Sequence, residues 1–222
     1  MVRHHPSDDL LLAYAVGSSA EAVSLVVATH LALCPACRTD VERLEALGGA
    51  LIEELPPAPL PEALLQQVMS RIDHPAGNGA ATGPEDTGDK ADTGAGPVLP
   101  RPLRDYLDGP LDALPWRNLG PISMVELAGG GAGPKAHLLR IKPGVTIPRH
   151  PHVGLELALV LAGGMSDGRR HFQRGDISQA DTSVVHEQVM DRAADCLCLV
   201  ATDGPLDLTE LTGRLADPHT AP

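Results

Sequence analysis

Pro143-Gly144-Val-Thr-Ile-Pro-Arg149-His150-Pro151-His152-Val153-Gly154-Leu155-Glu156, closed seven residues on by Gly163, decides how the C-terminal half is read. On an extended strand side chains alternate, so His150 and His152 project to one face. Glu156 has the same parity and faces the same cavity if no bulge intervenes. Two imidazoles and a carboxylate on one face suit zinc, iron, manganese or nickel, and spacing does not choose among them. Around this stretch, residues 122–127, 136–141, 155–161, 182–189 and 196–200 read as short strands. Gly129-Gly130-Gly131, Pro143-Gly144, Gly163-Gly164 and Arg174-Gly175-Asp176 punctuate them. Many short strands at this spacing predict an antiparallel sandwich or barrel.

Upstream, residues 75–97 contain no Leu, Ile, Val, Met or aromatic residue, but six Gly and three Pro. Such a segment buries nothing that offsets the entropy of ordering it, so 75–99 is expected to be a flexible linker. It separates residues 1–74 from a second domain at 100–216 and a polar tail at 217–222. The first part reads as about four helices. Ser7 is a candidate N-cap ahead of Asp8 and Asp9, and Gly17 ends the first helix. A second runs from near Ser19 through Val23, Val26, Val27 and His30. Pro35 opens a third toward Leu55, where Pro56-Pro57-Ala58-Pro59 breaks it, and a short fourth follows Pro61.

Between the second and third helices stands His30-Leu-Ala-Leu-Cys34-Pro-Ala-Cys37. His30 and Cys34 are one helical turn apart and point the same way. Cys34 precedes a helix start whose free N–H groups favour negative charge, and Cys37 lies one turn inside. Three ligands in eight residues call for a fourth to complete a zinc tetrahedron, and His4 or His5 can supply it. A structural zinc would also hold together a segment with a single aromatic residue, Tyr14.

The chain has 222 residues, 17 Lys and Arg against 29 Asp and Glu, ten His, four Cys and only four aromatic residues. A formal charge of −12 repels phosphate backbones, which argues against direct nucleic-acid binding. No apolar run approaches the roughly 20 residues of a membrane span, and no signal peptide is evident, so a cytoplasmic location is expected. Cys196 and Cys198, two apart on an expected strand, share a face. Burial as small hydrophobes is one reading, and an oxidisable pair reaching the sulfenate level is the other.

Two family resemblances arise from these motifs. Gly144-x5-His150-x-His152-x3-Glu156-x6-Gly163 resembles the first cupin motif at every named position. Phe172-x-x-Gly175-Asp176 resembles the turn that opens the second, although Arg174-Gly175-Asp176 replaces Pro-x-Gly and Met190 replaces a frequent Asn. The resemblance implies a C-terminal jelly-roll β-barrel, with His186 as a fourth ligand beside His150, His152 and Glu156. His4-His5-x-Ser-Asp and Ser24-Leu-Val-Val-Ala-Thr-His30-Leu-Ala-Leu-Cys34 resemble the zinc anti-sigma domain of the ChrR/LtrR group. Trp116-Arg-x-Leu-Gly and Asp195-Cys-x-Cys-Leu-x-Ala201-Thr-Asp resemble the C-terminal half of the same group.

That likeness implies zinc at His5, His30, Cys34 and Cys37, and zinc or another divalent transition metal in the barrel. It implies an anti-sigma factor whose residues 1–74 hold an extracytoplasmic-function sigma factor inactive, with the cupin domain sensing singlet oxygen or related oxidative stress. Residues 1–74 carry four Arg against ten Asp and Glu, which suits a basic partner. The alternatives are a cupin dioxygenase or isomerase with a helical accessory domain and, more weakly, a DNA-binding activator. No general acid or base accompanies the ligands, and the acidic helices oppose DNA.

Overall fold

The computed structural model describes residues 1–73, 97–128 and 133–204. Most of the expected linker, with His74, His219 and the tail at 217–222, lies outside these residues. Helix α1 (Asp8–Ala15) starts after Ser7, whose backbone is extended (φ −63°, ψ 156°). It stops before Gly17, which adopts φ +71°, a conformation that favours glycine. Helix α2 (Glu21–Leu33) and helix α3 (Pro35–Glu53) meet at a 118° bend. Cys34 is the elbow, ending one helix and preceding Pro35 at the first position of the next. Helix α4 (Leu64–Asp73) buries none of its residues. Among the described residues no single helix is long and apolar enough to cross a membrane.

After helix α5 (Arg101–Arg104) and a 3-10 turn at Leu111–Ala113, ten strands build two antiparallel sheets. They are β1 (Arg117–Leu119), β2 (Ile122–Ala128), β3 (Lys135–Ile141), β4 (Thr146–Pro151), β5 (Glu156–Ala162), β6 (Gly164–Ser166), β7 (His171–Gln173), β8 (Ile177–Ala180), β9 (Val185–Met190) and β10 (Cys196–Thr202). One sheet has the order β1-β2-β3-β10-β5-β8 and the other β4-β9-β6-β7. This two-sheet β-barrel behind a helical N-terminal part is the fold class expected from the motifs. The short strands β1, β6, β7 and β8 escaped sequence reading because three or four residues carry too little periodicity.

Strand alternation sorts the core into two layers. Leu139, Ile141, Ala158, Val160, Cys196, Cys198 and Val200 face the barrel interior with Phe172, Met165 and Met190. Their neighbours Leu138, Leu157, Leu159, Leu161, Leu197, Leu199 and Ala201 face outward, yet they are buried beneath Val23, Val26, Val27 and Leu31 of the helical part. Each such leucine contributes about 1.5–3 kcal/mol when removed from water. Uncovering the whole row would therefore be costly, and α2 works as an outer layer of the barrel, packed on β3, β5 and β10. The helical segment is docked on the barrel, not only tethered to it. Leu99, the last residue of the expected linker, is buried in the same core, so the chain is already packed on the barrel before residue 100.

Residues 2–7 continue this covering. The Ile177 N–H donates to the His4 carbonyl at 3.0 Å, and the Ser7 N–H donates to Gln179 Oε1 at 3.1 Å. The N-terminal segment thereby takes up one backbone N–H and one side chain along β8, the marginal strand of its sheet.

Candidate metal centres

In the helical part, one ligand atom each from His5, His30, Cys34 and Cys37 gathers within a mutual spacing of 4.8 Å. His5 Nδ1 stands 3.4 Å from Cys34 Sγ and 3.2 Å from Cys37 Sγ. The α2–α3 elbow brings the last three together, and the N-terminal segment lays His5 across them. His4 turns away, its ring 4.7 Å from that of Phe172. The geometry thus selects His5 of the two candidate histidines.

His30 is fully buried, and its Nδ1 lies 2.8 Å from the Gly175 carbonyl. A carbonyl only accepts, so Nδ1 carries the proton and Nε2 presents a lone pair. Burial pulls the imidazole down to about 4, so it is neutral at pH 7. His30 Nε2 is buried without a hydrogen-bond partner. Such an orphan is costly unless something occupies the centre, and a cation among two thiols and two imidazoles fits it. Burial and the neighbouring Cys34 push the Cys37 thiol up to about 12. Metal uptake here must therefore expel the Cys37 proton.

The barrel gathers His150, His152, Glu156 and His186 in the same manner, again within 4.8 Å. The β4–β9 register sets His150 directly opposite His186. The three imidazole rings form a triangle with centroid separations of 4.9, 5.0 and 4.6 Å. Nδ1–H of His150 donates to Pro148 O at 2.9 Å and that of His152 to Val184 O at 3.0 Å, which turns both Nε2 atoms inward. His152 Nε2 and His186 Nε2 are buried without hydrogen-bond partners. Glu156 arrives differently from the simple alternation expected of one strand. β4 ends at Pro151, the chain turns at Gly154 (φ +81°), and Glu156 opens β5 in the opposite sheet. A side chain at Gly154 would sit 2.5 Å from Asp203 Oδ2, so glycine is required at this crossing.

Glu156 Oε1 lies 3.4 Å from His152 Nε2 and 4.0 Å from His186 Nε2. Burial opposes its charge, but the three imidazoles outweigh that and hold its carboxyl below the usual range. Glu156 in turn raises His152, whereas burial lowers His186. Three nitrogens and one carboxylate oxygen suit zinc and several other divalent transition metals. If both centres are loaded, the chain should hold about two metal ions. His186→Ala should reduce the total to about one by elemental analysis, and an unchanged total would remove His186 from the ligand set.

Cys196 and Cys198 point into the barrel, both buried, with sulfurs 3.5 Å apart. Cys198 lines a cavity of about 30 Å3 with His150 and Glu156. Of the other histidines, half-exposed His171 bonds Asp191 at 3.0 Å, and buried His137 sits 3.8 Å from Glu126. Neither joins a metal-type cluster among the described residues.

Residues 109–206 match the family model described as the ChrR cupin-like domain. The anti-sigma-E factor ChrR of Cereibacter sphaeroides is 42% identical over 217 residues, covering 98% of this chain and 97% of that protein. The chain belongs to the ChrR family. A chain in the crystal structure of Rhodobacter sphaeroides SigE in complex with the anti-sigma ChrR is 41% identical. That match covers 91% of this chain and 99% of the other, with a TM-score of 0.75. The ChrR likeness thus spans helices and barrel together, and both metal-type clusters fall inside it.

Proposed function

We propose that this protein is an anti-sigma factor, a regulator without a catalytic role, which binds an extracytoplasmic-function sigma factor through residues 1–74. The carrying observation is the row of large apolar side chains left uncovered on the second half of α3 and on α4. Leu47, Leu51, Ile52, Leu64, Leu65, Val68, Met69 and Ile72 are all exposed. An exposed apolar row on an amphipathic helix is a partner-binding feature. The ten acidic side chains of this segment suit a sigma factor whose own faces are basic where they meet promoter DNA. ChrR's presence in a complex with SigE supports the same partner class. Inhibition is then steric, with the helices occupying surfaces the sigma factor needs for polymerase in the cytoplasm.

In this reading His5, His30, Cys34 and Cys37 hold structural zinc that fixes the elbow of the sigma-binding helices. His150, His152, Glu156 and His186 hold zinc or another divalent metal in the barrel, which senses singlet oxygen or a related oxidant. The buried Cys196–Cys198 pair beside that centre is the candidate oxidisable group. Release requires that the oxidised form bind the sigma factor more weakly than the resting form. A cavity of about 30 Å3 at the barrel centre holds a water or two, far below the roughly 300 Å3 of small substrate pockets, which disfavours the enzyme reading. Co-expression with the extracytoplasmic-function sigma factors of the source genome, followed by affinity capture, tests the proposal. One sigma factor should copurify in equal amount and lose promoter activity, and capture of none would overturn it.

A further inference from the structure

One turn of the barrel touches both histidine ligands of the helical centre or their supports. It is residues 174–176, between β7 and β8. The Gly175 carbonyl accepts the His30 Nδ1–H at 2.8 Å. Asp176 Oδ1 accepts the backbone N–H groups of Arg3 at 2.6 Å and His4 at 3.0 Å, the two residues that lead into His5. Its other oxygen, Oδ2, accepts the Gln173 N–H at 2.9 Å. Beside them Arg174 donates to the carbonyls of Leu161 and Val98, the latter at 2.6 Å, which ties the segment ahead of α5 to the same turn. Gly175 adopts φ +91°, and a Cβ there would stand 2.7 Å from Val2 Cγ2, so the N-terminal segment lies directly on the turn.

These bonds do more than close a turn. Closing it needs only the Gln173 contact, whereas Asp176 Oδ1 is committed to a segment more than 170 positions away in the chain. Asp176 is buried, and a buried carboxylate is stable only where donors surround it. Arg3 and His4 supply them, which fixes the backbone just before His5. The Gly175 carbonyl fixes the other ring, because it selects the tautomer of His30 and aims Nε2 at the two thiols. Metal-binding histidines ordinarily take this kind of support from a carboxylate or carbonyl outside the ligand set. Here the support comes from the other domain. β5 anchors the turn in return, since Gly175 N–H donates to Val160 O at 2.8 Å and Val160 N–H donates to Asp176 O at 3.0 Å. The same strand begins with the barrel ligand Glu156.

We infer that the 174–176 turn is the outer shell of the helical metal centre, a positioning element through which the barrel controls how firmly that centre keeps its ion. The inference rests on the reading of His5, His30, Cys34 and Cys37 as zinc ligands. It is tested on the zinc-loaded full chain by following zinc transfer to the coloured chelator 4-(2-pyridylazo)resorcinol. The phase of release missing from the Cys34→Ser/Cys37→Ser variant belongs to the helical centre. Asp176→Ala, which removes the oxygen that accepts from Arg3 and His4, should speed that phase about tenfold or more and leave the barrel phase unchanged.

Arg3→Pro removes one donated N–H at an exposed N-terminal position, so it loosens the same latch without touching the barrel, and should act in the same direction. Wild-type release from both variants overturns the inference, and so does equal acceleration of both phases, which would mark general loosening. If no phase disappears from the double-serine variant, the zinc reading itself fails and the latch with it.

Discussion

Replacing Cys34 and Cys37 together by serine should lower the metal content from about two ions per chain to one and abolish capture of the sigma factor. The two sulfurs flank His5 Nδ1 at 3.4 and 3.2 Å, so the change removes half of a four-ligand centre. Structural zinc in small peptides supplies about 10–16 kcal/mol of apparent binding free energy, more than most small domains have in reserve. Yet the whole molecule should not unfold. α2 is held by the outward leucines of β5 and β10, contacts that owe nothing to the metal. The expected damage is local: His5 and the N-terminal segment detach, and α3 loses its angle at the Cys34 elbow. Elemental analysis, affinity capture and a thermal melt read the three consequences separately. A variant that keeps two ions, or that still captures the sigma factor at full strength, would sink the role assigned to this centre.

The two candidate clusters were legible because metal-type side chains group locally. His30, Cys34 and Cys37 fall within eight residues around a helix break, and His150, His152 and Glu156 within seven. His186 came only with the cupin likeness, since nothing near it in sequence marks it, and its place opposite His150 is a matter of strand register. The choice of His5 over His4 likewise came with the family likeness, because spacing alone leaves adjacent residues equivalent, and in the structure His5 is the one that reaches the two thiols. What the sequence concealed was the docking of helices on barrel. The linker's composition suggests two independent modules, and composition says nothing of what packs on either side. The readable signal was elsewhere. Residues 155–161 and 196–200 are apolar almost without interruption, where a barrel strand with one wet face alternates. A continuous run demands cover on both sides, and α2 is that cover.

Aspartate at both Leu65 and Val68 should weaken sigma-factor binding by about a hundredfold or more, while metal content and melting temperature stay at wild-type values. The two residues lie with Leu64, Met69 and Ile72 on one side of α4, at the spacing by which a helix seats in a partner's groove. Leu65 is 71% exposed and Ile72 65% exposed, and no residue of α4 is buried. Substitutions away from buried features usually change stability by no more than about 0.5 kcal/mol, so the free protein should tolerate both charges. In the complex the same positions would be dry. Two unpaired carboxylates forced against an apolar groove carry desolvation costs of at least about 3 kcal/mol together, more than the factor of one hundred requires. The contrast with the double-serine variant is diagnostic, because that change removes a metal and the binding together. The aspartates should remove the binding alone. If they leave it intact, the sigma factor docks elsewhere and the exposed row on α4 must serve some other surface.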